Sequence, residues 1–322
     1  MIRSTGKTRG GSIGFFLLLG LVYALPSGAA QRTAVAGFEL QSNFWVNLHE
    51  RLLAAVRAQP LGDLALGGEE QTIWSGAVEG YRHQFGAKPA LFDPRITALS
   101  DQLSEAPEDS LPAAVPADVA AALQNAAKVY RHHGWEDDDK ANRFWIAVAA
   151  GMLEDAGEEL KKAHSQVYPT PWPARVRVDV TAAAGPVGAY TFGTEARAHS
   201  MISSRHLGNQ GFAALESLFH EASHAGADDA LASAIRRHAE KLGVKAPPDL
   251  WHAIIFYTSG ELTRRALAAR GVTDYIPYAI RQGVYARAWP RYLEALKANW
   301  QPYLDGRSTL DEALGRLVEA LR

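Results

Sequence analysis

The run Tyr168-Pro-Thr-Pro-Trp-Pro173 constrains this chain more than any other feature. Each proline lacks an N–H and restrains the residue before it, so no helix passes through the run. Before it, helical periodicity predicts helices over residues 42–58, 69–85, 116–132 and 138–167, separated by Pro- or Gly-rich connections at 59–68, 88–94 and 104–116. After it the period changes to two. Val176, Val178 and Val180 alternate with Arg175, Arg177 and Asp179, which predicts a half-buried strand, and short strands are expected at 188–193 and 199–204. From Asn209 helical periodicity returns almost to the C-terminus, with stops at Gly226, Gly243 and Gly271. The expected fold is α+β and mostly α-helical, with the main boundary at the proline run. A helical region over 37–168 would precede a second region over 174–322 in which a small sheet leads into helices.

The 322 residues are 47% hydrophobic and 21% charged, enough for a sizeable core, and the net charge of −2 gives no basic excess to attract nucleic acid or an anionic membrane. Arg3, Lys7 and Arg9 precede an apolar stretch over 13–25 and then Ser27, Gly28, Ala29 and Ala30. That order is expected of a secretory signal peptide over residues 1–30, and a helix of that apolar length covers roughly 20 Å, short of a bilayer core. The expected product is exported, periplasmic or extracellular, with no membrane span once the signal is cleaved. It has no cysteine, so any metal must be held by His, Asp or Glu.

The sharpest local pattern is His220-Glu221-Ala222-Ser223-His224. Independent placement of the chain's 11 His and 19 Glu yields about 0.02 such matches. On a helix His220 and His224 lie one turn apart on one face and can fill adjacent corners of a zinc tetrahedron. Glu221, about 100° round, can act as a base towards water without itself ligating. One zinc per chain is expected, and it needs a third protein ligand. Glu261 is the leading candidate, in the middle of a helix expected over 250–270. Gly260 before it would permit close approach to the motif helix, which its cost of about 1 kcal/mol against alanine asks for. His252 and the acids Asp228 and Asp229 compete. His252 and Glu261 are nine residues apart, hence about 180° apart on one helix, so only one of them can face the metal.

His220-Glu221-x-x-His224 followed by Gly260-Glu261 on a later helix resembles the gluzincin group of zinc metallopeptidases over roughly residues 176–270. The resemblance implies a zincin-like catalytic region, a peptide or protein substrate, and an edge strand over 199–204 lining the cleft. Thermolysin-like and neprilysin-like members place an aspartate four residues after the ligand glutamate, where this chain has Arg265. A carboxylate that orients a zinc histidine must then come from Glu216, Asp228 or Asp229. Peptide hydrolysis would use water activated by zinc and Glu221, with a further donor to the oxyanion. Tyr278 is the chosen donor from a stripe with Arg281 and Tyr285, near Tyr275 and Arg287. The competing readings are a zincin-shaped binding protein without catalysis and a zinc hydrolase of a non-peptide, cell-wall amide.

Two further features read as structural. His132-His133-Gly134-Trp135 with Asp137, Asp138 and Asp139 reads as a helix end followed by an acidic first turn rather than as a second metal site. Asn47 and His49 read as a solvated helix face rather than as groups reaching the cleft.

Overall fold

The computed structural model describes residues 32–59, 64–86, 88–194 and 196–322, and the segment expected to direct export lies outside them. The described residues are α+β and mostly helical, with one five-stranded mixed sheet. Strands β1 (Thr33–Val35) and β2 (Phe38–Gln41) form a hairpin whose two-residue turn places Ala36 and Gly37 at φ 50° and 85°, the left-handed geometry that short hairpins use. Four helices follow: α1 (Phe44–Val56), α2 (Gly68–Phe85), α3 (Pro94–Leu103) and α4 (Ala117–His133). The long helix α5 (Trp135–Val167) leads to the proline run, and then come β3 (Val176–Thr181), β4 (Ala189–Thr194) and β5 (Arg197–Ser203). The remaining chain is helical: α6 (Phe212–Ser223), α7 (Ala227–Lys241), α8 (Leu250–Ala268), then α9 (Tyr278–Arg281), α10 (Val284–Ala288), α11 (Tyr292–Asn299), α12 (Gln301–Leu304) and α13 (Leu310–Leu321).

The strand order is β1-β2-β3-β5-β4, with β3 parallel to both neighbours and the outer pairs antiparallel. Parallel strands are ordinarily covered on both faces, and so they are here. On one face Val176, Val178, Val180 and Ile202 join Phe38 and Leu40 against Trp145, Ala149 and Leu153 of α5 and Leu215, Leu218 and Phe219 of α6. On the other face Tyr190 and Met201 pack with Phe44, Leu48 and Leu52 of α1 and with side chains of α2, α3 and α4.

Two expectations about the sheet change. No strand is expected before residue 174, yet β2 pairs with β3 in register Phe38↔Val176, so the residues on either side of the proline run share one sheet and one core. The strand expected at the edge, here β5, is internal between β3 and β4; the edge beside the motif helix is β4. A central strand has its backbone groups already paired and cannot pair with an extended ligand.

Buried polar side chains lock the layers. Asn47 Oδ1 accepts from Asn142 Nδ2 at 2.9 Å and from Ala182 N at 3.1 Å, joining α1 to α5 and to the chain just beyond β3. Asp138, in the acidic first turn of α5 and fully buried, accepts from Arg51, Arg205 and Tyr130. His49 is buried, with Nδ1 3.1 Å from the Tyr81 hydroxyl. Neither Asn47 nor His49 is solvated, because α1 is covered on almost every side.

On the α3 side of the sheet, His199 of β5 bridges two carboxylates, with Nε2 2.7 Å from Asp179 Oδ2 and Nδ1 3.3 Å from Asp101 Oδ1. Burial opposes its protonation, but the hydrogen bonds to Asp101 and Asp179 outweigh it and hold the imidazole above the ordinary histidine range. The stability this contributes is complete below the unfolded histidine pKa near about 6.5 and is lost as pH rises through the raised folded value. His199→Ala should cost about 3 kcal/mol at pH 6, since Asp179 is left buried without its cation. In urea titrations the gap between wild type and variant should narrow as pH rises; a gap independent of pH would show that His199 is neutral.

Candidate metal centre

Helix α6 has a broad apolar side. Ala214, Leu215, Leu218, Phe219 and Ala222 are buried in the core shared with the sheet, α5 and α8, and His220 and Glu221 lie on the remaining side with Glu216. The helix ends at His224, whose N–H turns back to Glu221 O at 3.1 Å. The two histidines still share a side, with Nε2 atoms 3.2 Å apart. Two ligands at tetrahedral corners of zinc, with bonds of about 2.0–2.1 Å, stand about 3.3 Å apart.

The third group at this point is His252, from the first turn of α8. Ligand nitrogens of His220, His224 and His252 lie within 4.8 Å of one another. The His252 ring centroid is 5.4 Å from that of His220 and 5.1 Å from that of His224. Aromatic rings wall the cluster, with Phe256 4.1 Å from His220, Trp251 5.9 Å from His224 and Trp289 5.7 Å from His252, centroid to centroid.

Glu261 is not at this point, and its expected role as third ligand is corrected. It accepts from Arg264 Nε at 2.7 Å and Arg265 Nε at 2.8 Å, and Gln301 Nε2 reaches it at 3.3 Å. Burial disfavours its charge, but the two guanidiniums hold its pKa below the usual carboxylate range. The half-turn that separates residues nine apart puts Glu261 opposite His252, where α8 meets the C-terminal helices through Arg265 and Asp305. Gly260 does mark a close approach to the motif helix, where a Cβ would sit 3.2 Å from Glu216 Oε1 of α6, and it also meets Pro277, whose Cβ would lie 2.6 Å away.

The hydrogen bonds around the histidines suit a cation. Asp228 accepts from His224 Nδ1 at 2.9 and 3.0 Å, which fixes that proton on Nδ1 and leaves Nε2 for the cluster. Burial opposes a charge on His224, yet its bond to Asp228 and the charges of Asp228 and Glu221 raise its pKa. Burial, with the other histidines close by, pushes His220 well below the ordinary histidine value, and burial brings His252 down to about 3. These two are neutral and can offer lone pairs. Two such nitrogens converging on His224 Nε2 repel unless a proton or a metal ion lies among them. The donor set of three imidazoles with no thiolate fits zinc.

Glu221 is buried, and its Oε2 accepts from Thr191 Oγ1 of the edge strand β4 at 2.8 Å. Thr191 Oγ1 lies 2.7 Å from Ser200 Oγ. A hydroxyl donates once; since Thr191 donates to the carboxylate, Ser200 donates to Thr191. Glu221 Oε2 is thereby engaged and Oε1 is the oxygen left to take a proton. Burial raises the Glu221 pKa, against the pull of His224 and Thr191.

Glu216 does not orient a histidine. Its carboxylate accepts from Tyr275 Oη at 2.5 Å and from Tyr278 N at 3.0 Å, and burial, opposed by these bonds, pushes its pKa up to about 7. It thereby pins the start of α9 beside the site. Tyr278 stacks on Phe256, the ring next to His220, at 6.2 Å. The Tyr285 hydroxyl is spent on Ala253 O at 3.1 Å. Sequence reasoning missed Thr191 and the aromatic wall, since a threonine in a strand carries no distinguishing pattern.

Comparison of the chain with protein-family models, with curated proteins and with solved structures found no match. The resemblance to gluzincins rests on the motif alone.

Two measurements check the centre. His252→Ala should lose the zinc of this centre while Glu261→Ala keeps it, and the reverse result in metal analysis would restore the glutamate. Asp228→Asn should weaken zinc affinity by about 10–100-fold in a chelator competition.

Proposed function

We propose that the chain is an exported zinc-dependent hydrolase that cleaves peptide bonds, with His220, His224 and His252 as metal ligands and Glu221 as general base. The observation that carries this reading is the convergence of three imidazoles beside a buried carboxylate that is itself held by an edge strand. His220, His224 and His252 would hold a zinc ion, which when bound would acidify a water molecule and polarise a carbonyl.

The chain's own residues supply the rest. Glu221 takes the proton of the attacking water on Oε1 and passes it to the leaving amine. Thr191 keeps the carboxylate at one rotation throughout, because its donated bond to Oε2 survives protonation of Oε1. Phe256, Trp251 and Trp289 give the centre an apolar wall that limits competing water and strengthens each charge interaction. Tyr278, at the rim, is the donor proposed for the developing oxyanion, with Glu216 fixing its backbone.

Glu221→Gln should lower peptide cleavage by about a hundredfold or more with zinc content unchanged. The readout is fragment analysis of a mixed peptide library by mass spectrometry. Undiminished cleavage by the variant would sink the general-base assignment, and no cleaved peptide with the wild type would count against a peptidase. Thr191→Val should cost about tenfold in kcat, and Thr191→Ser should restore it.

A further inference from the structure

Helices α2 and α4 lie antiparallel in the layer on the other face of the sheet from α6 and α8. Gln84, near the end of α2, bonds Asp118, in the first turn of α4, so the start of α2 meets the end of α4. Glu70 sits in the first turn of α2, and His132 and His133 close α4. Two of the acids that follow His133 in sequence do not serve these histidines: Asp138 is committed to Arg51 and Arg205, and Asp139 to Arg143. Their partner is the glutamate 62 and 63 positions earlier in the chain.

The carboxylate lies between the two rings, with Oε2 2.7 Å from His133 Nε2 and Oε1 3.4 Å from His132 Nδ1. Neighbouring helical residues point about 100° apart, yet at this helix end the two ring centroids are 4.3 Å apart. One donor atom from each of the three side chains falls within the same 4.8 Å limit that the His220 cluster satisfies. The two carboxylate-to-imidazole separations bracket the spacing of about 3.3 Å between corners of a zinc tetrahedron. Two imidazoles and one carboxylate form a donor set with a net charge of −1, suited to a borderline divalent cation. The C-terminal end of α4 adds its negative dipole. His132 is exposed, so water has access to complete the coordination.

We infer that Glu70, His132 and His133 form a second zinc-binding site, independent of the His220 centre, which clamps the start of α2 to the end of α4.

The test titrates the metal-free full-length chain with zinc against a chromophoric chelator, with bound metal counted after desalting. Wild type should take up one zinc more than His133→Ala or Glu70→Gln, and zinc should raise the melting temperature of wild type above that of either variant. His224→Ala should retain the second site. If that variant fails to fold, the comparison of wild type with His133→Ala decides alone. Identical zinc uptake and affinity in wild type, His133→Ala and Glu70→Gln would overturn the inference. A single zinc lost only in His133→Ala would support this site while counting against the His220 centre.

Discussion

The contact on which the rest of this structure depends is the burial of Val176, Val178 and Val180 of β3 under α5 and α6. Each fully buried valine contributes on the order of 1.5–3 kcal/mol, and together they hold the motif helix against a rigid surface. Parallel neighbours on both sides leave β3 no free edge and require cover on both faces. The second face is supplied by α1 and α3, which meet it through paired polar groups such as Asn47 with Ala182 and His199 with Asp179 and Asp101. The helical N-terminal portion is thus part of the support for the centre rather than an appendage to it.

From that support the centre inherits its precision. His220 and Glu221 emerge from a helix with little freedom to rotate, and α8 crosses it with His252 in its first turn. Each group then receives one fixed partner that sets its proton: Asp228 for His224, Thr191 for Glu221. Burial lowers the pKa of His220 and His252, while Asp228 and Glu221 raise that of His224, and burial raises the Glu221 pKa against the pull of His224 and Thr191.

Much of this was legible in the sequence. The helices α1, α2, α4 and α5 follow from their periodicity and breakers, and β3 from its alternation. Strands β1 and β2 were not legible, because three or four residues are too few for a period to show; β2 is stabilised by pairing with β3 across more than a hundred residues, and β1 by pairing with β2. The geometry of a helix excluded having both His252 and Glu261 at the metal, yet it was silent on which of them faces it. Glu261 had the stronger sequence argument through Gly260, and that glycine does let α8 approach the motif helix, at Glu216, without bringing Glu261 to the histidines.

What the sequence determined by itself is local: a helix with two histidines and a glutamate at one-turn spacing, a break that helices cannot cross, and an absence of thiols that leaves imidazole and carboxylate as donors. What only the tertiary structure decided is which distant groups meet them. His252 and Thr191 converge on the motif, and Glu70 on His132 and His133, because packing fixes the direction each element presents to its neighbours. Spacing along a single element fixes the angle between its own side chains, whereas the direction of the whole set is chosen by the surfaces it buries.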